Sequence, residues 1–242
     1  MALSEYFIRY LEQRDTLSED ERRRLAAIKT RHVSFAPGEV IVARDVEVTE
    51  SCLMLGGMSA RVHDLGRGGE RVITALHVPG DFVDLHGFVL AGLEHKVIAV
   101  GHAEVEFVSH DQLREITNEW AHLTRLLWMS TTIDAAIHRQ WLVAAASLRS
   151  SAHLAHLLCE IYTRLNSVGA AQEHHFSLPL LQRDLANILG YSPIHINRAV
   201  RDLRERGLIR WTGNEIRILD WPGLVALARF RTDYLDMEKL RR

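Results

Sequence analysis

The sequence predicts an α+β fold in three parts: a roll of short strands with an N-terminal helix over residues 1–109, a long helix over 110–146, and a helix-turn-helix with a trailing hairpin over 147–242. Three observations predict it. Between residues 30 and 108, short β-forming runs are broken at near-regular intervals by glycine and proline. From His110 the apolar period changes to that of a helix. From Leu180 two short helical patterns flank Gly190.

Size and composition narrow the class. The 242 residues carry 29 basic and 31 acidic side chains, a formal net charge of −2, so the chain as a whole is not a polycation. No apolar run approaches a membrane span, and the charged stretch Met1 to Arg14 lacks the apolar core of a signal peptide, so a cytoplasmic protein with no membrane partner is expected. Cys52 and Cys159 are too few for a disulfide framework or an iron–sulfur cluster, and both read as buried thiols.

In chain order, Ser18 with Glu21 three residues on marks a capping box before a helix. Strand-like runs follow: His32–Phe35 ended by Pro37-Gly38, Cys52–Leu55 ended by Gly56-Gly57, Arg61–His63 ended by Gly66-Arg67-Gly68-Gly69, Val72–Val78 ended by Pro79-Gly80-Asp81, and the alternating Glu104–Phe107. The glycine run at 66–69 lacks the Lys-Ser/Thr of a phosphate loop and reads as a hairpin turn. Leu126, Ser130, Ile133, Ile137 and Ala144 then form a heptad-like seam on one long helix, with Trp141 adding bulk, and these six residues are the expected homodimer interface. A helix over 153–165 and a polar linker over 166–175 lead to the last block.

That block reads as helix, turn, helix, hairpin. Leu181–Ile188 is a short helix, Gly190 supplies the sharp turn, Ser192 sits at an N-cap and Pro193 at the first helical position. At 100° per residue, Ile196, Ala199, Val200 and Leu203 share one face while Ile194, Asn197, Arg198 and Arg201 share the other. An apolar face that packs, opposite a polar cationic face, suits a helix entering a major groove. Leu208–Trp211, the turn Thr212-Gly213-Asn214 and Glu215–Ile218 form a wing. From His174 to Ile218 seven arginines face four acids, a local excess of +3.

With these residues in place, the chain resembles the Crp/Fnr family of regulators. The resemblance is carried by Phe35-Ala36-Pro37-Gly38-Glu39, Pro79-Gly80-Asp81-Phe82, Leu180 to Ala186, Leu189-Gly190-Tyr191-Ser192, His195-Ile196-Asn197-Arg198 and Leu203 to Ile209. The segment Ser192 to Arg198 is similar to the branch with a Pro-Val-His-Val-Asn-Arg recognition helix. The resemblance implies a cyclic-nucleotide-binding-like β-roll (jelly roll), a dimerisation helix and a winged helix-turn-helix. It further implies double-stranded DNA as partner, a homodimer on a pseudo-palindromic promoter site, and RNA polymerase as a second partner if the protein is an activator. Ser192, Pro193, Ile194, His195, Asn197, Arg198 and Arg201 would form the DNA-reading surface, with Arg198 forked onto a guanine.

Departures from the family pattern bear on the ligand. Where cyclic-AMP receptors carry a glutamate for the ribose and an Arg-Ser pair for the cyclic phosphate, a gapless alignment puts Asp84-Leu85-His86 and His95-Lys96 here. Leucine cannot accept the ribose hydrogen bond, and His-Lys lacks the guanidinium fork, so cyclic AMP is not the expected effector. Leu85, His86, His95 and Lys96, with His138 and Arg139 on the long helix, are the candidate ligand pocket. Haem held by a roll histidine is the alternative cofactor. No Cys/His spacing resembles a zinc site, so no metal site is expected, and no nucleophile–base set or cofactor fingerprint points to an enzyme. The competing functional class is a small-molecule or haem sensor working mainly through ligand or protein contacts.

Overall fold

The computed structural model describes residues 3–66 and 71–242 and divides into two compact units, Met1–Ala135 with Asp236–Arg242, and Ala136–Leu235. The hairpin turn expected at Gly66 to Gly69 lies, from Arg67 on, outside the described residues.

In the first unit, α1 (Glu5–Glu12) is capped by Ser4, and α2 (Glu19–Ala26) by the expected reciprocal pair. The Ser18 amide donates to Glu21 Oε2 at 2.7 Å, and the Glu21 amide donates to Ser18 Oγ at 3.3 Å. Strands β1 (Thr30–Phe35), β2 (Val40–Val42), β3 (Glu50–Asp64), β4 (Arg71–His77) and β5 (Lys96–Ser109) form one antiparallel sheet in the order β1-β5-β3-β4, with β2 also on β5. One edge of β5 is shared: β1 pairs along its second half and β2 along its first, which curls the sheet into a roll. The Pro37-Gly38 turn makes this sharing work, since Gly38, at φ +84°, donates to Ala99 O and Ala99 donates to Glu39 O, both at 2.9 Å. The Pro79-Gly80-Asp81 turn docks on β3 through Gly80 N to Met54 O and Met54 N to Asp81 O, both 3.0 Å. Cys52, Met54, Val83, Leu93, Val97 and Val105 lie in the core.

Two expectations are corrected. Gly56-Gly57 does not end a strand: β3 runs on for 15 residues, and the glycines are a bulge in it. Gly57 sits at φ +68°, and a Cβ there would lie 2.0 Å from the His102 carbonyl oxygen, so the close crossing with β5 requires glycine. The helix expected from residue 110 is two helices, α3 (His110–Glu119) and α4 (Ala121–Ser147), because Trp120 leaves the helical region at φ −122°, ψ 79°. The C-terminal residues return to this unit. Leu240 N donates to Arg14 O at 2.9 Å and Arg242 N to Asp15 Oδ2 at 2.8 Å, beside His122, which bridges Asp15 and Glu21.

In the second unit α5 (Ser150–Ser167) is central and buried on most sides, packing on α7 (Pro193–Glu205) and α8 (Trp221–Ala228). Its Glu160, fully buried, accepts hydrogen bonds from Trp141 Nε1 on α4 (3.1 and 3.2 Å), Arg164 (3.2 Å) and the Tyr234 hydroxyl (2.9 Å). A buried carboxylate is tolerable only with such a set of donors. The expected linker over 166–175 ends in a strand, β6 (His175–Ser177), which joins β7 (Ile209–Thr212) and β8 (Glu215–Ile218) in a sheet of order β6-β8-β7.

Candidate nucleic-acid interface

The reading head is built from local signals in sequence. Helix α6 (Gln182–Leu189) starts at Leu181, which has no side chain to cap with, and Asp184 makes up the deficit by accepting from the Leu181 amide at 3.1 Å. Gly190, left-handed at φ +71°, turns the chain out of the helix. Ser192 then caps α7: its Oγ accepts from the His195 amide at 3.4 Å and lies 2.7 Å from His195 Nδ1. Pro193 is the first helical residue, and Gly207, at φ +70°, follows the C-cap Arg206.

The two faces of α7 separate as expected. Ile196, Ala199 and Leu203 are buried, with Val200 half-buried, whereas Ser192, Pro193, Ile194, His195, Asn197, Arg198 and Arg201 are all exposed. Ile194 is 65% exposed, an apolar side chain left in water on an otherwise polar face. The acids of this region are already engaged: Asp202 pairs with Arg206 at 2.9 Å, Glu205 approaches Arg201 at 3.7 Å, and Asp184 caps α6. Arg198 makes no ion pair among the described residues, so its full charge faces outward. The wing turn is pinned by Trp211 Nε1 donating to Gly213 O at 3.0 Å and by Leu178 N donating to Asn214 O at 2.7 Å. The second of these bonds ties β6 to the wing, and nothing in the linker's composition signals it.

The candidate ligand pocket comes together only in part. His86, on the 3₁₀ turn Leu85–Phe88, and His95 lie with ring centroids 5.5 Å apart, and His63 stands 5.7 Å from His95 on the other side. Leu85 is buried in the roll. Lys96, the first residue of β5, donates to Asp64 at 2.7 Å. His138 is half-buried and Arg139 exposed, both on α4 in the second unit.

Sequence reasoning missed Arg61 and gave Asp84 no role. Arg61 is buried in the roll and donates to Val83 O and to Asp134, each at 3.2 Å. Burial pushes the Asp84 carboxyl up to about 7, against the Cys52 amide that donates to it at 2.6 Å and the Arg61 charge. Burial, then the Arg61 guanidinium, holds His86 down to about 4 and lowers His95 in the same way. Both cysteines are buried free thiols, raised by burial. The expected seam on α4 is turned inward: Leu126, Ile133, Ile137 and Ala144 are buried within the single chain, and Ser130 and Trp141 are half-buried. The exposed stripe of that helix is Arg125, Trp128, Thr132, Arg139, Leu142 and Ala146, also at heptad spacing, with Trp128 72% and Leu142 73% exposed.

Comparison with known proteins places this geometry. Residues 152–227 match the family described as the Crp-like helix-turn-helix domain. The chain is similar to the transcriptional regulatory protein btr of Bordetella pertussis, 24% identical over 172 residues that cover 71% of this chain and 70% of the relative. It is similar as well to the transcriptional activator protein FnrA of Stutzerimonas stutzeri, 26% identical over 168 residues covering 69% and 68%. The solved structure of FixK2 from Bradyrhizobium japonicum shares its fold, with a TM-score of 0.73 at 21% identity over 83% of this chain and 98% of that one. By sequence the C-terminal part of the chain is thus similar to a Crp-like helix-turn-helix domain, and the roll, long helix and winged head together have the Crp/Fnr architecture.

Proposed function

We propose that the protein is a sequence-specific DNA-binding transcription regulator that acts as a homodimer on a pseudo-palindromic promoter site without cyclic AMP as effector. One observation carries the reading. Helix α7 buries Ile196, Ala199 and Leu203 while it presents Ile194, Asn197, Arg198 and Arg201 outward, with a capped N-terminus and a pinned wing beside it. In this reading Ser192 and His195 approach phosphates, Ile194 meets a thymine methyl, and Arg198 forks onto a guanine. The Pro193-Ile194-His195-Ile196-Asn197-Arg198 segment then selects half-sites like those of the branch it resembles. The curated relatives are described as transcriptional regulators, which supports the same class.

Dimerisation through α4 follows from the exposed stripe. Of the seam, Leu126, Ile133, Ile137 and Ala144 are covered within the chain and Ser130 and Trp141 half-covered, so a second copy would meet Trp128, Thr132, Arg139 and Leu142 instead. Two exposed large apolar side chains on one helix are a burden in water unless covered. Cyclic AMP is disfavoured because buried Leu85 offers the ribose no acceptor and Lys96 is committed to Asp64. If the protein activates transcription, RNA polymerase is the second partner.

Sequencing of DNA bound to the protein in its cell, followed by footprinting of the recovered promoters, tests this reading. We expect two protected half-sites about 34 Å apart, read by a species that sediments as a dimer. Binding without any preferred sequence would overturn the regulator reading, and a monomer on a single half-site would overturn the homodimer.

A further inference from the structure

We propose that His63, Glu94 and His95 form a site for one divalent transition-metal cation of the zinc class, with the remaining coordination position open to solvent. Each residue has one ligand atom in a group whose members all lie within 4.8 Å of one another. Two imidazoles and one carboxylate are the donor set that zinc takes when a position is kept open. Tetrahedral coordination at about 2.0–2.1 Å needs ligand atoms roughly 3.4 Å apart, so the three must draw together by about an ångström. Glu94 supplies that movement, since its side chain is 70% exposed and ends only 3.1 Å from His95 Nδ1.

The fold assembles the site through strand register. Val62 and Lys96 are the last pair of β3 with β5, and His63 and His95 are the next residue beyond each, their ring centroids 5.7 Å apart, with Glu94 adjoining before β5. The independent sign of a ligand is His95 itself. It is 1% exposed, its Nδ1 faces only the Glu94 carboxylate, and its Nε2 has no hydrogen-bond partner. A buried ring nitrogen without a partner is costly, and a bound cation would satisfy it. His63 is held for the task, with Nε2 3.2 Å from the Thr74 hydroxyl, a contact of the kind that orients metal-binding histidines. The Arg61 charge nearby, which would repel a cation, is itself bonded to Asp134 at 3.2 Å.

The test uses full-length, tag-free protein, stripped with chelator and titrated with Co²⁺ and then Zn²⁺. We expect one equivalent per chain, the visible d–d bands of a low-symmetry cobalt site that zinc displaces, and a melting temperature that rises with added zinc. Glu94→Gln, on an exposed side chain, should keep the circular dichroism and melting temperature of the metal-free wild type yet bind about 100-fold more weakly. His95→Gln should abolish the cobalt spectrum. The site is refuted if the wild type binds no stoichiometric metal. It is equally refuted if both folded variants bind like the wild type, because binding would then belong to others of the 14 histidines.

Discussion

Arg61 and Arg198 are the same residue type in opposite settings. Arg61 is sealed inside the roll, its guanidinium held by the Val83 carbonyl and Asp134. Arg198 stands exposed on α7 with no ion-pair partner among the described residues. The first unit therefore uses charge where the surrounding structure depends on it, and the second offers charge where the fold is indifferent to it. A buried charge is costly to remove, whereas an exposed one can vary without unfolding the head that carries it.

Substituting each arginine by alanine separates the two roles. Arg61→Ala should lower the unfolding free energy by about 3 kcal/mol, since it removes a buried guanidinium and its bonds to Asp134 and the Val83 carbonyl, and urea unfolding measures it. Loss of less than about 1 kcal/mol would show that the contact is ornamental. Arg198→Ala should change stability by less than about 0.5 kcal/mol. It should instead relax preference at one base pair by about 1–3 kcal/mol, read by competition among single-position variants of the bound site. Equal weakening on every sequence would reassign Arg198 to the phosphates.

A smaller effect probes the roll by pH. Asp84, raised to about 7 by burial, holds a proton in the native state between pH 4 and 7 that the unfolded chain gives up, so its contribution to stability falls as pH rises through that window. His86, lowered to about 4 by burial, does the reverse between about pH 4 and 6.5, where the unfolded chain holds the proton and stability rises with pH. The two slopes oppose each other. Asp84→Asn, which keeps an oxygen for the Cys52 amide, should make stability climb more steeply with pH in that window, by up to about 1.4 kcal/mol per pH unit. An unchanged slope in urea midpoints from pH 4 to 7 would place the titration elsewhere.

The contrast between the units also decides what could be read in advance. The head is written in short-range spacings: a cap, a proline, a 3.6 period and a glycine stop all lie within 16 residues, and Ser192 to Gly207 appears where these signals put it. The inward and outward faces of α7 needed only the helical period. The roll depends on distant pairings. Residue spacing gave no hint that β3 would run through Gly56-Gly57, because a bulge and a strand end share the same glycines. Nothing in the spacing of His63 and His95 announced that their rings would meet while Lys96 turned to Asp64. On α4 the sequence holds two heptad stripes, and the choice between them rests on which face the rest of the chain covers. The interruption at Trp120 carries no glycine or proline to announce it.

The glycine bulge in β3 acts as a parity switch for everything downstream of it. Side chains alternate sides along a strand, so removing one residue at Gly56 or Gly57 would exchange the two faces of β3 from Met58 to Asp64. Arg61 would exchange sides with Ala60 and Val62, all three of them buried as the strand now stands. Two residues without side chains thereby determine on which face of β3 the Arg61 guanidinium is sealed.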